Sequence, residues 1–141
     1  LLPELYSRYP DALYILTTRD PYDWFRSLTR FHAKLFGLPS NATRQQLANG
    51  LKNSTYVAPG FQYQNHIKQF GITSDDQLYD RDLYIRNLIE HDHLVRKTIP
   101  DAQLLEIDIS KHHDTYAICE FLNMPSPKAQ KRRMPWANKT S

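Results

Sequence analysis

Ala12-Leu-Tyr-Ile-Leu-Thr-Thr-Arg19-Asp-Pro21-Tyr-Asp-Trp24-Phe-Arg-Ser27 is the stretch whose reading decides the fold. Its opening, Ala12 to Leu16, is a short apolar run of the kind that forms a buried strand. Its second half carries a helix start. Asp20 suits an N-cap, and Pro21 suits the first helical position, where a missing N–H costs nothing. Arg19 falls between the two, at the carboxyl end of the strand, the edge where open α/β sheets bind ligands. A cation there, beside the positive end of a helix dipole, makes a site for an anion, above all a phosphate.

Working outward, the same pattern recurs. Leu2 to Arg8 reads as a helix end, with Leu2, Leu5 and Tyr6 on one side and Tyr9-Pro10-Asp11 as the turn. The strand is expected over 12–17. A helix follows from Pro21 to about Phe36, with a stripe of Trp24, Leu28, Phe31 and Leu35, ended by Gly37. Asn41-Ala-Thr-Arg caps a short helix through Leu51, 53–60 reads as loop, and Phe61 to Phe70 is a helix stopped by Gly71. Asp75 or Asp76 opens a long helix to Ile99 with the stripe Tyr84, Leu88, Val95 and Ile99. Pro100 breaks it, and Gln103 to Ile109 is a second strand. Asp114 caps a last short helix with Ile118, Phe121 and Leu122 inward, and no element is evident from Pro125 on.

Strands alternating with helices predict a parallel sheet, and two strands alone are too few to form a stable one. The expected class is therefore α/β and helix-rich, and the opening Leu1-Leu2-Pro3-Glu4, without an initiator Met, reads as the start of a piece. The 141 residues suffice for one domain, and 40% apolar content suffices for its core. A net charge of +3 is too small to argue for nucleic acid or a membrane surface as partner. The single Cys119 excludes an internal disulfide, and no apolar run approaches the roughly 20 residues of a membrane span.

Arg19-Asp-Pro with Ser27 eight positions on resembles the 3′-phosphate-binding motif of sulfotransferases that use 3′-phosphoadenosine 5′-phosphosulfate (PAPS). With the helix opening at Pro21, Ser27 lies about 9 Å along the axis. An Arg fork and a Ser hydroxyl at that spacing suit one phosphate. The run from Leu5 to Pro21, with Trp24, is similar to the compact P-loop sulfotransferases. So are His91-Asp92 with Val95-Arg96, the run Leu104 to Asp108, Cys119-Glu-Phe-Leu-Asn-Met-Pro125, and the closing Pro135-Trp-Ala-Asn138. The resemblance implies the C-terminal part of a P-loop-type, three-layer fold with a parallel sheet. It makes 1–141 one partial domain, 37–76 a helical and loop insert on the acceptor side, and 125–141 a basic tail.

The chain departs from that family in two respects. Its four glycines, 37, 50, 60 and 71, form no Gly-rich phosphosulfate loop, and the family's usual His or Glu base would also fall before Leu1. No catalytic residue is therefore assigned, and the fragment alone is expected to be inactive. Arg132 and Arg133, ahead of Lys131, either fold over the 3′-phosphate with Asn138 or belong to a solvated tail. The resemblance implies no metal. The six His lack ligand spacing and read as surface or supporting residues, although His32 or His66 would suit an acceptor pocket. Asp108 reads as a turn residue rather than a Walker-B-like carboxylate, Cys119 as a small buried hydrophobe, and Trp24 as core, packed on the sheet, rather than an adenine wall. The sequons at Asn41, Asn53 and Asn138 read as accidental.

The leading expectation is transfer of a sulfuryl group from PAPS to a hydroxyl or amine acceptor. The partners are the nucleotide and an acceptor the sequence does not identify, and the compartment is the cytoplasm, with the Golgi lumen as alternative. The rival readings are a P-loop nucleotide kinase relative and a non-catalytic protein-binding module.

Overall fold

Five residues, Tyr14–Thr18, form the strand β1. It begins two residues later than the apolar run predicts, because residues 10–12 are held in a turn. Gln103 Nε2 donates to the Pro10 carbonyl at 2.6 Å and to the Ala12 carbonyl at 3.1 Å. β1 pairs in parallel with β2, Leu104–Asp108, with Tyr14 opposite Leu104 and Thr18 opposite Asp108. The expected parallel sheet is thus observed, two-stranded among the described residues. This computed structural model describes residues 1–111 and 115–124. The expected cap Asp114 and the tail 125–141 lie outside them.

The chain divides into two units. The first holds 1–20 and the described residues from 90 on. Its elements are α1 (Leu2–Arg8), β1, the second half of α5 (Arg81–Thr98), β2 and α6 (Tyr116–Phe121). Leu16, Val95 and Ile99 form its core, and Leu2, Tyr6, Tyr14 and Leu104 pack against them. The α5 stripe that ends in Val95 and Ile99 is therefore the inward face the sequence predicts. Arg96 on α5 makes two bonds to Glu106 on β2, at 2.7 and 2.9 Å. In α6, Leu122 follows the last helical residue and is exposed rather than inward.

The second unit, 21–89, is helical. α2 (Pro21–Leu35), α3 (Arg44–Lys52), α4 (Phe61–Phe70) and the first half of α5 surround one core. That core comprises Leu47, Ala48, Leu51, Phe70, Ile72, Leu78, Tyr79 and Tyr84 among its members. Trp24, Phe25, Leu28 and Phe36 pack against it from the α2 side. The inward face of α2 therefore runs through Trp24, Leu28, His32 and Ala33, and Phe31 is 38% exposed instead of core. Trp24 is core, as expected, and packs on Phe70 within the helical unit.

The capping residues set the boundaries. Within the expected capping stretch Asn41-Ala-Thr-Arg, Thr43 is the N-cap of α3, in a capping box with Gln46, so the helix starts at Arg44. Gly71 ends α4 in the left-handed conformation, φ 60°, as the sequence predicts. The long helix α5 does not open at Asp75. Ser74 and Gln77 box a single 3₁₀ turn there, Tyr79 takes φ 56°, and the helix begins at Arg81.

Leu51 is fully buried at the centre of the helical core. Leu51→Ala is expected to cost about 2–5 kcal/mol through lost transfer energy and a residual cavity. A urea titration checks this, with the midpoint falling at an unchanged slope.

Candidate functional site

β1 delivers Arg19 one residue past its last ladder position. The side chain is partly buried, and its Nε is sealed from solvent with no acceptor among the described residues. A buried donor left without a partner forfeits about 1–3 kcal/mol of desolvation energy, so it calls for an explanation.

α2 opens at Pro21 as expected, and Ser27 lies within it, partly buried. Arg19 belongs to the first unit and Ser27 to the second. Arg132, Arg133 and Asn138 lie outside the described residues.

Asp108, at the end of β2, is held in a turn. Its Oδ1 accepts from the Ser110 backbone N–H at 2.9 Å and from the Ser110 hydroxyl at 2.6 Å, and Lys111 lies 3.2 Å from Oδ2. These bonds hold the carboxyl at a pKa of about 2, the Ser110 hydroxyl contributing most. The turn reading is the one the structure bears out. Among the described residues no group of three or more His, Cys, Asp or Glu is placed to hold a metal ion. Cys119 is only partly buried.

His32 and His66 differ most from the sequence reading. They are 3% and 7% exposed, and so belong to the interior. Their ring centroids are 5.2 Å apart. The Nδ1 of His32 shares a 2.7 Å hydrogen bond with the Tyr79 hydroxyl, and that of His66 shares one of 2.9 Å with the Tyr84 hydroxyl. Helical spacing carried a signal for both. His32 is four residues past Leu28 on the apolar face of α2, and His66 lies between Tyr63 and Phe70 on that of α4.

Around the pair, Arg44 fastens the turn that carries Tyr79. Its Nε donates to the Leu78 carbonyl at 2.8 Å, one terminal nitrogen meets Asp80 at 3.3 Å, and the other donates to the Asp76 carbonyl. Asp80 in turn accepts the Leu83 N–H at 2.9 Å at the start of α5. Nearby, Asp75 takes both Lys52 and the Tyr63 hydroxyl, which holds its carboxyl below the usual range and raises the Tyr63 phenol. Asn41 and Asn53 stand exposed on either side of α3.

A family model for the sulfotransferase domain matches residues 1–141. The chain belongs to the sulfotransferase family. No curated protein matches it. This family generally uses PAPS as donor. The match supports a sulfotransferase function in general, and the observed α/β, helix-rich architecture fits it. Among the described residues of this family member, no helix is long and apolar enough to cross a membrane.

Arg44 makes its three contacts through the planar guanidinium fork, which an ammonium cannot reproduce. Arg44→Lys is therefore expected to lower stability by about 1–2 kcal/mol although the charge is kept. The check is the urea midpoint of the variant, which this reading requires to fall.

Proposed function

We propose that this protein takes part in sulfuryl transfer from PAPS to a hydroxyl or amine acceptor, and that Arg19 and Ser27 hold the 3′-phosphate of the nucleotide. The observation that carries this reading is the buried, unpartnered Nε of Arg19 at the carboxyl end of β1, in a chain the sulfotransferase family matches throughout. PAPS supplies the activated sulfuryl group. The guanidinium offers a phosphate two parallel N–H bonds with charge assistance, and the Ser27 hydroxyl adds one donor. Together they fix the nucleotide's position, and positioning is a large part of what a transferase must provide.

Arg132, Arg133 and Asn138 are proposed as further phosphate contacts from the basic tail, on the resemblance of the chain's ending to the family pattern. The segment 37–76 is proposed as the acceptor side. The glycines of the chain supply turns and a helix position and no phosphosulfate loop: Gly37, Gly60 and Gly71 are left-handed, and Gly50 lies within α3. No residue here is assigned as the base that deprotonates the acceptor. We accordingly expect this chain to bind nucleotide without turning over substrate by itself.

Calorimetry with adenosine 3′,5′-bisphosphate tests the proposal on the full-length protein. Arg19→Ala is expected to weaken binding roughly 10- to 100-fold, the loss of a charge-assisted hydrogen-bond pair, with the unfolding midpoint held or raised because a buried unpaired donor is removed. Ser27→Ala is expected to weaken it several-fold. Absence of any nucleotide binding by the wild-type protein would overturn the reading. Equal binding by the Arg19→Ala variant would remove Arg19 from the site.

A further inference from the structure

We propose that His32 and His66 form an acid-sensitive latch, which holds α2, α4 and the Tyr79 turn together while both imidazoles are neutral and releases them on protonation. The inference rests on the packing of the helical unit and is independent of the nucleotide site.

The geometry leaves no place for a positive charge. The two rings lie 5.2 Å apart, His32 also meets Phe31, Phe36 and Tyr79, and His66 also meets Phe70, Tyr79 and Tyr84. Each Nδ1 has one phenol hydroxyl as its partner. A neutral ring with its proton on Nε2 leaves Nδ1 free to accept the phenol O–H, which satisfies the hydroxyl and that nitrogen together. Protonation makes both ring nitrogens donors. Each hydroxyl must then accept, and its own O–H needs a new acceptor inside an apolar core.

The ionisable groups on the surrounding elements do not compensate. Burial pushes the Tyr79 phenol up, and the Tyr84 phenol up to about 12, so both stay neutral across the acid range. Arg44, the cation whose field reaches Tyr84, is tied to Asp80. Tyr63 on α4 turns its hydroxyl to Asp75, which is already paired with Lys52. A protonated His66 would repel a charge on His32. Desolvation lowers both imidazoles to about 4 from an ordinary 6.5.

The sign follows from linkage. A His whose folded pKa lies below its unfolded value contributes stability that is fully present above about pH 6.5 and is lost as pH falls toward about 4. In that window the unfolded chain binds up to roughly two more protons than the folded one through this pair alone. The consequence is structural. α2, which presents His32 inward, and the left-handed Tyr79 turn lose their common anchor together.

The test is the pH dependence of urea unfolding of the full-length protein between pH 7.5 and 4.5, beside the double variant His32→Phe with His66→Phe. The wild type is expected to lose stability with a slope that approaches two protons, and the double variant, which keeps two rings and loses both titrations, with a slope smaller by about that amount. An identical slope in both proteins would overturn the latch. Should the double variant not fold, histidine NMR of the wild type decides. Two of the six imidazoles are expected to stay neutral in the folded protein below pH 5.5 and to titrate only on unfolding. All six titrating near 6.5 with the fold intact would overturn the proposal.

Discussion

The helical unit hangs on Tyr84. Its ring is fully buried, stacks on Phe70 at 4.0 Å, and takes the edge of Phe25 at 5.8 Å. Three helices therefore meet on one side chain: α5 carries it, α4 supplies Phe70 and α2 supplies Phe25. The hydroxyl at its far end is bonded to His66. An aromatic body contributes large apolar burial, while a buried O–H requires a partner. The combination fixes position as well as affinity, because a ring that slid along its stack would lose its hydrogen bond. The neighbouring pair repeats the device, with the Tyr79 hydroxyl on His32.

That second pair explains a backbone feature no propensity favours. A bulky residue at φ 56° carries a steric penalty of about 1–2 kcal/mol. Tyr79 holds it because the turn is constrained from both sides. Arg44 gathers the carbonyls of Asp76 and Leu78 and the carboxylate of Asp80, and the core grips the Tyr79 ring. The expected long helix from Asp75 stops short for the same reason. A continuous helix through 75–81 would carry Tyr79 away from His32 and would bury the carbonyls that Arg44 needs exposed to it.

What the sequence makes legible are the features decided within a few residues. Asp20-Pro21 marks the start of α2, Gly71 marks the end of α4, and the alternation of strand and helix implies a parallel pair. Arg19 is placed at a strand end by the same local logic. Illegible were features that depend on what packs where. Phe31 and His32 are adjacent, and a stripe counted by hydrophobicity takes the first as core, whereas the fold exposes the phenylalanine and buries the imidazole. The imidazole is tolerated inside only because a tyrosine 47 positions away supplies its hydrogen bond. No window along the chain contains that partner. The unsatisfied Nε of Arg19 is likewise visible only once the surroundings of β1 are built.

The contrast between Arg19 and the ion-paired cations bears on function. Arg26, Arg44, Lys52, Arg81, Arg96 and Lys111 each reach a carboxylate, on surfaces where such pairs contribute about 0–1 kcal/mol. Arg19 differs in having a nitrogen withdrawn from water and unmatched among the described residues, a local desolvation cost of about 1–3 kcal/mol. On the proposed reading a phosphate supplies the missing acceptor to a donor that is already desolvated, once the atoms that cover the nitrogen move aside. An exposed guanidinium would have to shed its water first. The position of least internal satisfaction in the strand unit thus coincides with the position the Asp-Pro motif marks for an anion, and the two observations are independent: one comes from atoms, the other from the order of residues.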